Sequence, residues 1–193
     1  MSRPSSNPAG GPLRLFVGID IGDAWATHLE TVAQELRRVT GSSARWVRPA
    51  LYHVTVVFLG NQQPGDVPDL RDALDEAAAG SKPFTLRLTG IRRLGGHERG
   101  ALVAGVDDVN GGLLAFRQRL DTALRAREIA FDSKPLVPHV TLARPRGRAG
   151  LSLVSNPDVS GVPPLLVQRV NLVQSALLPS GPQYTALQSA ELA

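Results

Sequence analysis

The sequence predicts an α+β fold with antiparallel or mixed sheets, on three observations. Apolar runs of strand length recur along the whole chain. Amphipathic helical stretches fall between some of them, while others follow one another across short Gly-rich breaks, as hairpins do. Strands joined by hairpins argue against a doubly wound parallel sheet. The chain has 193 residues, 42% hydrophobic and 20% charged, which fits one domain or two small lobes sharing a core.

In chain order, residues 1–12 are Ser-, Pro- and Gly-rich and read as a disordered tail, leaving 13–193 as a single folded domain. Leu13 to Ile19 reads as a strand. Asp23 is placed as a helix cap, and Trp25, Leu29, Val32, Leu36 and Val39 recur at three- and four-residue steps behind it. Gly41-Ser42-Ser43 stops that helix. Arg45 to Arg48 is short and extended, and Tyr52 to Leu59 is a strand. Asp69 to Ala79 is a second helix, closed by Gly80. Phe84 to Ile91 alternates apolar and polar residues, Gly95 to Gly100 is a hairpin loop, and Ala101 to Val106 returns as a strand. Asn110 is placed as the cap of a third helix carrying Leu113, Phe116, Leu120 and Leu124, with Arg117, Arg119, Arg125 and Arg127 on its wet side. Pro135 to Ala143 holds a further strand and Arg144 to Gly150 a basic loop. Leu165 to Leu178 and Tyr184 to Gln188 close the chain as strands.

Composition removes several function classes. There is no cysteine, so a disulfide scaffold, a zinc ribbon and a thiol nucleophile are excluded. No apolar run approaches the roughly 18 residues of a membrane helix, and residues 1–12 lack the apolar core of a secretion signal. A cytoplasmic monomer without membrane contact is the expectation. Net charge is +4, and of 21 basic residues only Lys82 and Lys134 are lysines. Arginine forks suit phosphate oxygens, although such a bias also arises from a GC-rich genome. Aromatic residues are 5% of the chain, too few for long base-stacking platforms.

One pattern stands above this background. Residues 53–56 are His-Val-Thr-Val and residues 139–142 are His-Val-Thr-Leu, one copy in each half of the chain, each in a predicted strand with a proline shortly before it. Strand side chains alternate faces, so His53 and Thr55 share one face and Val54 and Val56 the other; the second copy repeats this. If the halves are related by a pseudo-two-fold, two imidazoles and two hydroxyls meet in one cleft. Such a set suits phosphodiester cleavage: one neutral imidazole takes a proton from the attacking oxygen, and one imidazolium gives a proton to the leaving oxygen. A single His-x-Thr in a strand is ordinarily a half-buried hydrogen-bonded pair; the duplication is what points to a shared site. Zinc ligation is a second alternative, but neither motif has a carboxylate or third histidine near it in sequence, and catalytic zinc takes three protein ligands. No metal or cofactor is therefore expected. His28 reads as a boundary residue of the first helix, and His97 as a solvated loop residue.

With these residues in place, the sequence resembles the two-histidine (2H) phosphoesterases, and within them the RNA 2′,3′-cyclic phosphodiesterases, also called 2′–5′ RNA ligases. The carrying segments are Arg14 to Asp20, Trp46-Val47-Arg48-Pro49, His53 to Gly60, His139 to Arg144 and Tyr184 to Leu187. Tyr52, and Val56 in place of leucine, are mild departures. The resemblance implies a bilobal fold of two pseudo-symmetric β-sheet lobes, with outer helices and a central cleft. It implies hydrolysis of RNA 3′ ends bearing a 2′,3′-cyclic phosphate, or of small cyclic nucleotides, to 2′-phosphates, and ligation by the reverse reaction. By the same resemblance His53 corresponds to the proton donor and His139 to the acceptor. Thr55, Thr141 and Arg144 match phosphate-holding positions, and Phe58 matches a base contact.

Arg144 raises a geometric difficulty. Strict alternation sends it to the face opposite His139, so it must sit at a strand end where alternation lapses, beside Pro145. Two other functions stay open at this level. One is a non-catalytic binder of RNA ends or nucleotides, although no strand carries the aromatic signature of an RNA-recognition motif. The other keeps the fold and acts on 2′–5′ oligonucleotides or other cyclic phosphates.

Overall fold

The computed structural model describes residues 11–40, 44–96, 100–146, 157–179 and 181–193. Most of the tail, the Gly41–Ser43 stop, His97 and residues 147–150 of the basic loop lie outside the described residues.

The elements are β1 (Leu13–Asp20), α1 (Gly22–Thr40), β2 (Ala44–Trp46), β3 (His53–Gln62), α2 (Val67–Ala79), β4 (Phe84–Leu94), β5 (Ala101–Asp108), α3 (Gly112–Ala126), β6 (His139–Pro145), β7 (Leu165–Val167), β8 (Arg169–Leu178) and β9 (Gly181–Glu191). All strand pairs are antiparallel, in the order β7-β4-β5-β6-β3-β1-β8-β9, with β2 also paired to β6. The sheet has two halves, β3-β1-β8-β9 and β6-β5-β4-β7. Among the described residues a single Cα pair, Val54 with Val140, joins them. The two halves expected as lobes are therefore hydrogen-bonded into one curled sheet.

Local chemistry explains the elements. The stripe Trp25, Leu29, Val32 and Leu36 of α1 is buried, whereas Val39, one turn further on, is exposed. Asp23 lies inside the first turn of α1; the backbone N–H of Gly22 donates instead to Asp20 Oδ1 (3.0 Å). The residue before α3 is Gly111, at φ +73°, so Asn110 does not cap it. Asn110 Oδ1 accepts from Thr85 N (3.4 Å), and Asp108 Oδ2 accepts from Leu114 N (2.9 Å). The strand expected from Pro135 starts only at His139; Pro138 still accepts, through its carbonyl, from Val106 N (3.1 Å). Leu113, Phe116, Leu120 and Leu124 of α3 are buried as expected.

Arg117 is the clearest correction on this helix. It is 5% exposed, not on the wet side. It pairs with Asp121, one turn along, and donates to the carbonyls of Val56 (2.7 Å) and Asp132 (2.9 Å). The backbone N–H of Asp132 donates in turn to Phe58 O (2.8 Å). The segment between α3 and β6 is thus strapped to β3, and a buried guanidinium is satisfied in the only way that burial permits.

Candidate active site

Both tetrapeptides lie where the sheet halves meet. His53 and Thr55 open β3; His139 and Thr141 open β6. Val54 and Val140 are fully buried behind them. Antiparallel register about that pair sets His53 across from Thr141 and Thr55 across from His139. The geometry required by the sequence pattern is met: two imidazoles and two hydroxyls on one face of one sheet.

Each imidazole is fixed by the same device. His53 Nδ1 lies 2.8 Å from the carbonyl of Leu51, and His139 Nδ1 lies 2.6 Å from the carbonyl of Val137, both two residues upstream. A carbonyl only accepts, so Nδ1 carries the proton in each ring and Nε2 is left for the site. His53 Nε2 stands 3.0 Å from Thr55 Oγ1. Leu51 can serve because residues 48–52 loop out between β2 and β3, which otherwise run in line along the same side of β6.

A β-bulge follows each motif. On β3, Val57 pairs with Val17 and Thr55 with Gly18, leaving Val56 as the extra residue. On β6, Ala143 pairs with Leu102 and Thr141 with Val103, leaving Leu142. In both strands the motif's fourth residue and its successor are buried together, and the next residue, Phe58 or Arg144, returns to the exposed face. Arg144 reaches the face of His139 by this bulge inside the strand. Arg144 is the penultimate residue of β6, so the expected lapse of alternation near the strand end is present, with the bulge at Leu142 as its cause, and Phe58 is the pseudo-symmetric counterpart of Arg144.

Neighbouring strands complete the surroundings. Phe16 packs its ring 4.8 Å from that of His53, and Tyr184 meets His53 edge-on at 5.2 Å and 89°. Gly18, opposite Thr55, makes this possible, since a Cβ there would lie 2.9 Å from the Phe16 ring. Asp20 pairs with His53 across the strands. An open recess of about 540 Å³ lies beyond His53, bounded by Phe16, Asn171 and Tyr184. A second, of about 510 Å³, lies between Phe58, Lys134, Val137 and His139. Phe58 is 45% exposed at its rim.

The electrostatics are uneven. Burial holds both imidazoles below the ordinary histidine range. For His53, the Leu51 hydrogen bond and the Asp20 carboxylate oppose that shift, while His139 and Arg144 reinforce it. For His139, the Val137 hydrogen bond opposes it, and Arg144 and Arg92 reinforce it. Among the described residues, no group of three or more His, Asp or Glu side chains is placed to hold a metal ion. None of their helices is long and apolar enough to cross a membrane.

Phe16, Asp20 and Tyr184 lie inside segments quoted for the resemblance, but Arg92 has no motif to mark it. His28, by contrast, is a half-buried residue of α1, as expected.

A curled antiparallel sheet presenting paired His-x-Thr motifs from its two halves is what the resemblance to the two-histidine phosphoesterases implies, and known proteins are similar to this chain in sequence and fold. A model of the family "LigT like Phosphoesterase" matches residues 19–102. An RNA 2′,3′-cyclic phosphodiesterase of Geobacillus stearothermophilus is 33% identical over 137 residues, 66% of this chain and 43% of that protein. The protein of the same name from Bacillus subtilis is 27% identical over 170 residues, covering 88% and 91%. TT0787 of Thermus thermophilus superposes with a TM-score of 0.74 at 27% identity, over 93% of this chain and 98% of that one. E. coli LigT, solved with 3′-AMP, shares the fold at a TM-score of 0.75 and 22% identity, over 94% and 99%. The chain is thus similar to LigT-like phosphoesterases in sequence over residues 19–102 and in overall fold.

Proposed function

We propose that the protein hydrolyses RNA 2′,3′-cyclic phosphate ends to 2′-phosphomonoesters by metal-free general acid–base catalysis between His53 and His139. The observation that carries this reading is the matched tethering of the two rings. Both Nδ1 atoms are bound to carbonyls two residues upstream, which leaves both Nε2 atoms for chemistry on one face of the sheet. The relatives named RNA 2′,3′-cyclic phosphodiesterase support the substrate class.

In this reading neutral His139 takes a proton from water at Nε2. The water oxygen forms a bond to phosphorus, the bond to the 3′-oxygen breaks, and protonated His53 gives that oxygen its Nε2 proton. The charge environment supports the same assignment. Asp20 favours the protonated form of His53, whereas Arg92 beside His139 favours the neutral form. Thr55 and Thr141 hydroxyls and the Arg144 fork hold the non-bridging oxygens, and Phe58 stacks on the base. With a 5′-hydroxyl in place of water, the same attack makes a 2′–5′ bond as the bond to the 3′-oxygen breaks, but water at about 55 M favours hydrolysis unless ends are supplied together.

The test is incubation with an oligonucleotide ending in a 2′,3′-cyclic phosphate, with EDTA present, and identification of the product isomer. A 2′-phosphate is expected. A 3′-phosphate, no turnover, or activity lost to EDTA and restored by zinc or manganese would overturn the reading.

A further inference from the structure

Arg92 of β4 carries charge to the site from two strands away. Its register partner is Val103, which in turn pairs with Thr141, so Arg92 and Thr141 stand in one cross-strand row on one face. The neighbouring row is Gly90, Gly105 and His139. The two glycines in that row bring no side chain of their own beside His139, and the Thr89 and Arg92 side chains lie over Gly105 instead. A Cβ on Gly105 would lie 2.5 Å from Thr89 Oγ1 and 3.5 Å from Arg92 Nε. The Arg92 side chain therefore crosses β5 over Gly105, toward His139.

The guanidinium held there is unspent. Among the described residues Arg92 has no ion pair and no hydrogen-bond partner, whereas Arg37, Arg87, Arg117, Arg127 and Arg169 each have a carboxylate. It is also offset from the reacting phosphate. Arg144 acts on both imidazoles, but Arg92 acts on His139 alone, from the side away from His53. A phosphate already met by two histidines, two threonines and Arg144 does not need it. A free fork lying over this glycine row, on the side of His139 away from His53, suits a second anion joined to the first by the chain.

We propose that Arg92 binds the internucleotide phosphate that links the terminal nucleotide to the one before it, above the Gly90–Gly105 row. It thereby selects RNA chains over cyclic mononucleotides. This rests on the hydrolase reading above and adds to it a second subsite, one phosphate upstream of the reaction.

The experiment compares wild type, Arg92→Gln and Arg92→Lys on two substrates, a nucleoside 2′,3′-cyclic monophosphate and a trinucleotide ending in the same cyclic phosphate. Its readout is the ratio of kcat/KM for the trinucleotide to that for the mononucleotide, in which any change at His139 itself cancels. Arg92→Gln is expected to lower this ratio roughly tenfold. It should also flatten the salt dependence of the trinucleotide reaction by about 0.7 in the log–log slope, the value for one single-strand phosphate contact. Arg92→Lys keeps the charge, and with it the slope, while losing the fork. An unchanged ratio in Arg92→Gln overturns the subsite, including the case where both substrates suffer equally because Arg92 serves the reacting phosphate. Wild type inactive on both substrates would instead overturn the hydrolase reading. Arg92 is exposed, so neither substitution threatens folding.

Discussion

Val54 and Val140 face each other across β3 and β6 as the one Cα pair that joins the two halves of the sheet among the described residues. Each is the second residue of its tetrapeptide and each is fully buried. The pseudo-two-fold relating the histidines therefore passes between these two valines. The two imidazoles are spaced by a backbone ladder and not by long side chains, a rigid placement of the kind the proposed mechanism requires.

His53→Ala and His139→Ala should each lose at least about 10²-fold in kcat while staying folded. The double variant should be far less than multiplicatively worse, because residues acting as a unit are not additive. Single-turnover kinetics with circular dichroism checks this; near-normal turnover in either single variant removes that histidine from the mechanism.

A leaving group that needs no proton separates the two roles. On a nitrophenyl phosphodiester, His53→Ala should recover most of its activity and His139→Ala should not. Recovery of His139→Ala alone would exchange the assignments.

The pH dependence follows from burial. Both imidazoles sit below the ordinary histidine value of 6.5, and each disfavours charge on the other. The singly protonated pair that can react is therefore most populated on the acid side of 6.5, and kcat/KM should have a bell-shaped optimum there. A bound phosphate anion favours imidazolium, so the optimum of kcat should lie at higher pH. Arg144→Gln removes a cation that lowers both rings and should move the kcat/KM bell upward. A downward move would contradict the electrostatics described.

Phosphate holding is tested by Thr55→Val with Thr141→Val, which keeps shape and removes two hydroxyls, and by Arg144→Lys. Losses of about 10²-fold for the threonine pair are expected, and Arg144→Lys should not restore the wild-type rate because an ammonium lacks the fork. Normal turnover in the threonine double variant would assign the phosphate to other groups.

Arg117 touches no reacting group in the proposed mechanism, yet it anchors the bulge carbonyl of Val56. Arg117→Met leaves Asp121 and two carbonyls unpaired in a buried setting, a loss of about 3 kcal/mol. For a chain of this size that is a fall in Tm of roughly 6–12 °C. Thermal unfolding measures it directly. A change within about 2 °C would mean that the strap contributes little.

The sequence revealed the site to the extent that the site is local. A His-x-Thr tetrapeptide puts its chemistry on one strand face by alternation alone, so His53, Thr55, His139 and Thr141 could be named in advance. The bulges were also written there: each motif runs into a second apolar residue, Val57 after Val56 and Ala143 after Leu142, a doublet that period-two alternation does not allow. Arg117 is misjudged by residue type, though it lies at helical spacing from Leu113 and Leu120, inside the buried stripe. Arg92 carries no local signal, and Asp20, although it closes a segment quoted for the resemblance, has no role assigned by it. Their place depends on which strand lies beside which, and pairing across β5 or β1 is a property of topology that a linear pattern does not encode.

The two bulges give each of these strands something like a pair of reading frames. Up to the motif's threonine the chain is phased for chemistry; past Val56 or Leu142 it is phased to seal the core, and the extra residue is the shift between them. Substitution at Leu142 leaves both phases intact, whereas deletion of that one residue would merge them, turning Arg144 inward and Ala143 toward the cleft. In this fold the length of the strand is inherited as strictly as its letters, and the sites most tolerant of conservative exchange are among the least tolerant of loss.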